Sequence, residues 1–231
     1  MRLDKFICKH SDLGQQAARR AVAAGRVSVA GQWVTDPRAE VNRFVTICLD
    51  GQRLQGRPAH YFMLHKPAGY LSATRDPLHP TVLELLPPAL REELHIGGRL
   101  DRATTGLLIL TNDGRWSRRL TEPGKKLAKV YRVRTAEIIP AETEARFAAG
   151  IHLAREGVTT SPAELERLGE REVRLSIYEG RHHQVKRMFA QVGVQVVALH
   201  REQMGEIRLD AALSPGQFRP LTAAEIASVP D

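Results

Sequence analysis

The sequence predicts an α+β protein, with a small N-terminal module followed by a larger domain built on a mostly antiparallel sheet. Two observations carry this prediction. Segments with the alternation or the short apolar runs of strands outnumber segments with helical spacing. The polar stretch over residues 52–58 is typical of a linker. We therefore expect one domain over residues 1–57 and a second over residues 58–231, a division that 231 residues can support.

The N-terminal module begins with Leu3, Phe6 and Ile7, which share one face of a helix. A second helix, rich in alanine, ends before Gly25, and two alternating valines then open a strand. The predicted elements after the first helix are a helix over 15–24, a hairpin over 27–34 and a strand over 44–49, which ends before a turn at 50–51.

The larger domain mixes strands and helices. Its most distinctive strand covers residues 107–110, four branched apolar residues that we expect to be buried on both faces. Thr81 opens a short helix with a capping-box pattern, and Pro87-Pro88 is expected to stop it. The remaining predicted elements are strands over 61–65, 130–135, 173–178 and 194–199, and helices over 116–120, 141–149 and 183–192.

The composition favours a basic cytoplasmic protein. Lys and Arg total 34 against 26 Asp and Glu, which gives a net charge of +8 and favours polyanionic partners such as nucleic acid. Cys8 and Cys48 are too few for a disulfide scaffold and belong to no metal-binding motif, which fits a reducing compartment. No apolar run approaches the roughly 18 residues of a spanning helix, and the first residues lack a signal-type core.

Asp101 is the strongest candidate for a functional carboxylate. It lies between Arg99 and Arg102, just before the apolar strand over 107–110. A carboxylate at the mouth of a buried strand is held rigidly, and neighbouring cations keep it ionised. The alternative from these residues alone is a structural ion pair in a loop.

The order of residues over 98–114 resembles the catalytic motif of pseudouridine synthases, written G-R-L-D-x-x-T-x-G-L-L-x-L-T-N-D-G. The resemblance implies that Asp101 is catalytic and that a sheet with a central cleft carries it. Pseudouridine is an isomer of uridine, so no cofactor is expected. Glycosidases use two carboxylates, and no second acidic residue here has an equally distinctive motif.

Two further segments resemble motifs of the same family. Residues 129–133 carry Tyr131, which the resemblance places over the target base, with a possible part in proton transfer. Residues 179–189 match E-G-R-x-H-Q-[IV]-[KR]-R-M, which implies that Lys186 pairs with Asp101 and that Arg181 and Arg187 contact RNA phosphates. Residues 66–69 resemble a further motif of the family, the first in chain order, and the resemblance implies a mainly structural lysine–proline turn there. The adjacent histidines 182 and 183 lack a third ligand, so no metal is expected.

The N-terminal module resembles the S4-type RNA-binding domain, through residues 2–6 and 25–31. It departs from that pattern at Gly14-Gln15, where the family often has Ser-Arg, and at Ala30-Gly31, where it often has Asn-Gly. Basic side chains remain available for phosphates. The expected RNA contacts in the whole chain are Arg2, Lys5, Arg19, Arg20, Arg26, Arg99, Arg102, Arg181 and Arg187.

Taken together, the two modules resemble the RsuA branch of bacterial rRNA pseudouridine synthases. This resemblance implies a substrate uridine in small-subunit (16S) rRNA, in naked RNA or an assembling particle, and a monomer with no membrane partner. Two alternatives remain open at this point. One is an enzyme of the same branch acting on large-subunit rRNA, and the other is a non-catalytic RNA-binding protein of ribosome assembly.

Overall fold

The computed structural model describes residues 1–42, 44–54, 58–122, 127–154 and 156–230. The chain divides into two compact units, Met1–Ala59 and His60–Asp231. The boundary expected at 57/58 borders residues 55–57, which lie outside the described residues. Among the described helices, none has the length and apolar character needed to cross a membrane.

The first unit packs two helices on a small antiparallel sheet. Leu3, Phe6 and Ile7 are buried as their spacing predicts, and they contact Val27 and Ile47 from the sheet. The sheet order is β2-β1-β3-β4. The elements are α1 (Leu3–His10), α2 (Gln15–Ala23), β1 (Val27–Val29), β2 (Gln32–Trp33), β3 (Ile47–Leu49) and β4 (Gln52–Arg53).

Two predictions for this unit are wrong in detail. The strand expected over 44–49 begins only at Ile47, because Asn42 holds Phe44 and Val45 in a turn. The Asn42 side chain accepts from the Phe44 amide at 3.1 Å, and the Asn42 carbonyl accepts from Val45 at 3.2 Å. The expected linker also begins too early, since Gln52–Arg53 pairs with β3 in a hairpin.

In the second unit, nine strands of the described residues form one sheet. Its main order is β11-β12-β8-β13-β7-β5-β15, with β14 beside β13 and β6 beside β7. The strands are β5 (Tyr61–Lys66), β6 (His95–Gly97), β7 (Thr105–Thr111), β8 (Lys129–Thr135), β11 (Glu164–Gly169), β12 (Glu172–Ile177), β13 (Val196–Met204), β14 (Ile207–Arg208) and β15 (Phe218–Pro220). A separate two-stranded sheet joins β9 (His152–Leu153) and β10 (Val158–Thr159).

The pairing confirms the mostly antiparallel sheet. Among the strands of the described residues, β7 and β13 form the one parallel pair, and the other strand pairs are antiparallel. An isolated parallel bridge joins Leu71 and Thr81 outside the strands. The predicted strand over 194–199 instead runs from Val196 to Met204. Short strands such as β6 and β14 are not predicted, because two or three residues are too few to show an alternating pattern.

Helices cover both faces of this sheet. A 3₁₀ turn over Val82–Leu85 carries the predicted capping box. This turn ends before Pro87-Pro88, as predicted, and Pro88 then begins a further short helix, because the first helical position needs no amide donor. The helices are α3 (Pro88–Arg91), α4 (Gly114–Thr121), α5 (Thr143–Ala149), α6 (Gln184–Ala190) and α7 (Ala223–Ala227).

Strand β7 is buried on both faces, as its apolar run predicts. Leu108 and Leu110 belong to the larger core, which contains Phe147 and Phe189 from the helices. The residues that alternate with them along the strand, Leu107 and Ile109, face a second core. A strand buried in this way has little freedom to shift, so the loop that enters it has a fixed end point.

Candidate active site

The loop over residues 98–104 carries Asp101 from the end of β6 to the start of β7. It borders a cleft of about 830 Å³ in the second unit. Asp101 and the predicted base-facing residue Tyr131 both line this cleft. The structure therefore brings the two together, although they are far apart in sequence. Other lining residues include Ser72, Lys129, Arg181, His183 and Arg201.

Lys66 holds one side of this loop from inside the protein. Its side chain is fully buried at the end of β5. The ammonium group donates to the carbonyl oxygens of Pro67 at 3.0 Å, Arg102 at 3.1 Å and Thr104 at 2.7 Å. Three donors thus meet three acceptors, two of them in the loop that carries Asp101.

The charge of Lys66 also acts on the carboxylate. Burial lowers the pKa of Lys66 to about 8, while the nearby Asp101 carboxylate acts in the opposite direction and favours the ammonium form. The buried ammonium and the Asp101 carboxylate therefore attract each other. The sequence indicates only a structural turn at Lys66, and the structure adds this electrostatic contact.

Arg201 and Ser72 hold the first part of the loop. The Arg201 guanidinium is buried in the middle of β13 and donates to the carbonyls of Gly98 at 2.7 Å and Leu107 at 2.9 Å. The Ser72 hydroxyl donates to the Leu100 carbonyl at 2.7 Å and accepts from the Leu100 amide at 3.0 Å. Side chains from two other segments therefore fix the backbone on the N-terminal side of Asp101.

Gly106 allows β7 to approach β13 closely at this point. Its φ is +105°, and a Cβ atom there would lie 2.3 Å from the Arg201 carbonyl oxygen. Only glycine satisfies both the backbone conformation and the space. The glycine of the predicted motif thus positions Arg201 beside the loop.

His183 is the ion-pair partner of Asp101 among the described residues. Its Nε2 lies 3.4 Å from Asp101 Oδ1, and its side chain is 45% exposed. The residue has left-handed backbone angles, φ 51° and ψ 30°, immediately before α6. Its ring stacks on His182 with the ring centres 3.8 Å apart. A strained backbone at a functional site is a common way of aiming one side chain.

Lys186 does not occupy the predicted position. It forms no ion pair with Asp101 in the described structure, and it lines a separate groove with Glu137 and Val194. The prediction came from the resemblance of residues 179–189 to the family motif, which carries no information on where α6 directs each side chain. Buried Lys66 supplies positive charge near Asp101 instead, and the imidazole of His183 lies beside the carboxylate.

Tyr131 lies on β8 opposite Arg201 of β13. Arg201 in turn lies opposite Gly106 of β7, so the three residues form one row across the sheet. The tyrosine ring is mostly buried in the core, and its edge borders the cleft. This placement fits a rigid aromatic surface facing a flat substrate.

The predicted RNA-contacting residues of the second unit divide into two groups. Arg99, Arg102 and Arg181 line the cleft. Arg187 does not, and its guanidinium pairs with Glu156. The cleft nevertheless has an excess of positive charge. Its lining holds Arg99, Arg102, Lys129, Arg181 and Arg201 against Asp76 and Asp101.

In the first unit, three of the predicted cations are already engaged. Arg2 and Arg19 both donate to the buried Asp4 carboxylate, at 2.6 Å and 2.8 Å. Burial opposes the charge of Asp4, yet the hydrogen bonds from Arg19 and Arg2 bring its pKa down to about 2. Arg26 pairs with Asp50 in the same way.

Lys5 and Arg20 have no ion pair among the described residues, and both side chains belong to exposed residues of α1 and α2. They are therefore the predicted cations of this unit with charge still available to an external phosphate.

Comparison with known proteins identifies the family. Residues 60–191 match the family model described as RNA pseudouridylate synthase. The chain belongs to the RNA pseudouridylate synthase family. Two relatives named ribosomal small subunit pseudouridine synthase A are 54% identical in Pseudomonas aeruginosa and 46% identical in Escherichia coli K12, each over 99% of this chain and 100% of the relative. A solved pseudouridylate synthase is 39% identical, covers 99% of both chains and has a TM-score of 0.73.

Family membership shows an RNA-modifying isomerase and confirms the resemblance seen in the sequence. The site residues missed by sequence reasoning are those that act through tertiary contacts. Lys66 and His183 both lie in motifs that the sequence revealed, but their side-chain directions depend on the backbone around them. A lysine at the end of a buried apolar strand was the one available signal for Lys66.

We predict that Lys66→Met lowers the single-turnover rate. Removing the ammonium leaves the carbonyls of Pro67, Arg102 and Thr104 without their donor and takes a positive charge away from the surroundings of Asp101. Lys186→Met is the matched control and should keep the wild-type rate. Circular dichroism of both variants verifies that they are folded. A loss in Lys186→Met alone would contradict this assignment and restore the sequence prediction.

We also predict that His183→Asn, a change that keeps left-handed backbone angles accessible, lowers the single-turnover rate by a few-fold. The imidazole lies 3.4 Å from the Asp101 carboxylate, and the loss of a partly exposed contact of this kind has an effect of about that size. Single-turnover rates at saturating RNA measure the loss, and circular dichroism verifies that the variant is folded. His152→Asn, on β9, is the control; an unchanged rate in His183→Asn would argue against the contact.

Proposed function

We propose that this chain isomerises a specific uridine of small-subunit rRNA to pseudouridine. The observation that carries the proposal is Asp101, held by buried side chains in a basic cleft that also contains Tyr131. The choice of small-subunit RNA is supported by the relatives of that name, which match this chain along almost its whole length.

The reaction conserves every atom of the nucleotide. The N1–C1′ bond breaks, the base turns, and a C1′–C5 bond forms. The proton on C5 leaves and a proton is added at N1, so no oxidant or energy donor enters the balance. Asp101 assists the first cleavage in this proposal, by attack at C1′ or on the base or by removal of a sugar proton. Each route needs an ionised oxygen at a fixed position.

Tyr131 is proposed to face the target base. An extruded base needs a flat surface to replace the neighbours that it has left, and aromatic side chains provide one. The mostly buried ring of Tyr131 cannot move far, so it would hold the base in one plane while the glycosidic bond breaks. Its hydroxyl is proposed as the group that transfers a proton at C5 or N1.

The N-terminal unit is proposed to act as the S4-type RNA-binding domain that the sequence resembles. Lys5 and Arg20 support this role, since their charges are not neutralised by carboxylates of the described residues. Their contribution would be affinity rather than chemistry, because phosphate contacts position a protein on RNA without reading its bases. The substrate would then be a folded RNA large enough to reach both units, as naked RNA or as an assembling small-subunit particle.

We further propose that the enzyme works as a monomer in the cytoplasm. Residues of one chain supply the Asp101 contacts described above, so no second copy is needed to complete them. An enzyme acting on rRNA must also be present where ribosomes are made.

Chemical mapping of pseudouridine in rRNA tests the proposal directly. Cells lacking the gene should lose pseudouridine at one small-subunit position, and the wild-type gene should restore it. Loss at a large-subunit position would instead support the related large-subunit activity. Unchanged rRNA in both subunits would contradict the proposed function.

We predict that Asp101→Asn abolishes turnover while RNA binding survives. Asparagine preserves the shape of the side chain but removes the ionised oxygen, so the rate should fall by more than the roughly 10²–10⁴ that follows loss of an acid–base helper. Affinity should be equal or slightly higher, because one negative charge near RNA phosphates has gone. Single-turnover pseudouridine formation and RNA binding measure the two effects. Near-normal formation by the variant would overturn the assignment of Asp101.

We predict that the double variant Lys5→Gln/Arg20→Gln weakens RNA binding and reduces its salt dependence. The slope of log K against log salt should become shallower by about 0.7–0.9 for each phosphate that the protein no longer neutralises. Arg26→Gln is the matched control in the same unit, since the charge of Arg26 is already paired with Asp50. The rate at saturating RNA should not change. An unchanged slope in the double variant would show that the second unit binds alone.

A further inference from the structure

Leu78 is an apolar residue displayed in solvent. Its exposed fraction is 83%, larger than that of any other exposed large apolar residue in the described part of the chain. A leucine side chain exposed to this extent contributes almost nothing to the stability of the fold. Single exposed apolar residues are common on protein surfaces, so the argument depends on how Leu78 is held and on what surrounds it.

Leu78 lies in a loop tip formed by residues 76–80, and this tip has a defined conformation. Asp76 Oδ1 accepts hydrogen bonds from the amides of Leu78 at 2.9 Å and His79 at 2.8 Å. These two backbone bonds, the first more than the second, lower the pKa of the Asp76 carboxyl. Pro77 and Pro80 flank the tip and restrict its backbone. The leucine side chain is therefore presented in a limited range of directions.

Residues before and after Leu78 in the tip both contact the cleft or its loop. Asp76, two residues before Leu78, lines the cleft. The ring of His79, the next residue, lies 3.1 Å from the Arg102 guanidinium, which follows Asp101 directly. Because consecutive Cα atoms are about 3.8 Å apart, Leu78 lies within about 8 Å of the cleft rim.

We propose that Leu78 is a wedge that enters the RNA stack when the target uridine turns into the cleft. This inference rests on the proposed function. A base that leaves a helix opens a gap between its neighbours, and apolar side chains commonly fill such a gap. RNA is the fitting occupant here, since the exposed Arg102 contacts His79 of the tip, exposed Arg75 precedes the tip in sequence, and exposed Arg99 lines the cleft beside it. Phosphates would meet the arginines, and base faces would meet the leucine.

The test compares two RNA hairpins that contain the uridine located by mapping. In the first the uridine is stacked within the helix, and 2-aminopurine replaces a neighbouring base to report unstacking. In the second an abasic site opposite the uridine leaves it already free to turn out. Leu78→Ala should lose roughly tenfold or more in single-turnover rate on the first hairpin, and less than about twofold on the second, because the abasic site has already removed the base pair that holds the uridine in the helix.

Leu168→Ala is the matched control. Leu168 is an exposed leucine at the end of β11, outside the residues that line the cleft. It should match wild type on both hairpins. For Leu78→Ala, an equal loss on the two hairpins, or no loss on either, would overturn the wedge.

The fluorescence separates this inference from the function on which it rests. Binding of wild-type enzyme should raise 2-aminopurine fluorescence in the first hairpin, and binding of Leu78→Ala at saturation should not. This readout does not require turnover. A rise with wild type but no pseudouridine would contradict the proposed function while supporting the wedge, and an equal rise with Leu78→Ala would overturn the wedge.

Discussion

The buried ammonium of Lys66 is the interaction on which the catalytic loop depends. It is buried near Asp101. Its three donors are matched by three backbone carbonyls, two of which follow the aspartate in the loop. A buried charge is costly unless it is hydrogen-bonded in this way. The Lys66 ammonium therefore stabilises one conformation of the loop, and it also places positive charge near the Asp101 carboxylate. Geometry and electrostatics at Asp101 have a common source.

The rest of the site extends this arrangement outward. Arg201 and Ser72 fix the backbone before Asp101, and Gly106 brings β13 close enough for Arg201 to reach it. His183 approaches the carboxylate from a partly exposed position. The groups that would meet a substrate are thus oriented before it arrives, which is the condition for effective electrostatic catalysis. Positive charge around the cleft suits a substrate that carries phosphates.

Sequence patterns succeeded where function depends on residue type at a fixed spacing. Asp101 and Tyr131 both reach one cleft, because the motif places each of them beside a strand of the same sheet. The structure places Lys186 in a different groove from Asp101 and places His183, which has left-handed backbone angles before α6, beside the carboxylate. No periodicity in the residues indicates which side chain of this segment faces Asp101.

The sequence by itself determined the apolar strand β7, the aspartate before it, the basic character of the chain and the family. These depend on local composition and order, which are present in the unfolded chain. The tertiary structure alone decided which cations meet Asp101, which arginines are already paired with carboxylates, and that Leu78 stands at the rim of the cleft. Each of these depends on contacts between segments distant in sequence, because burial and hydrogen bonding select among directions that a side chain could otherwise take freely.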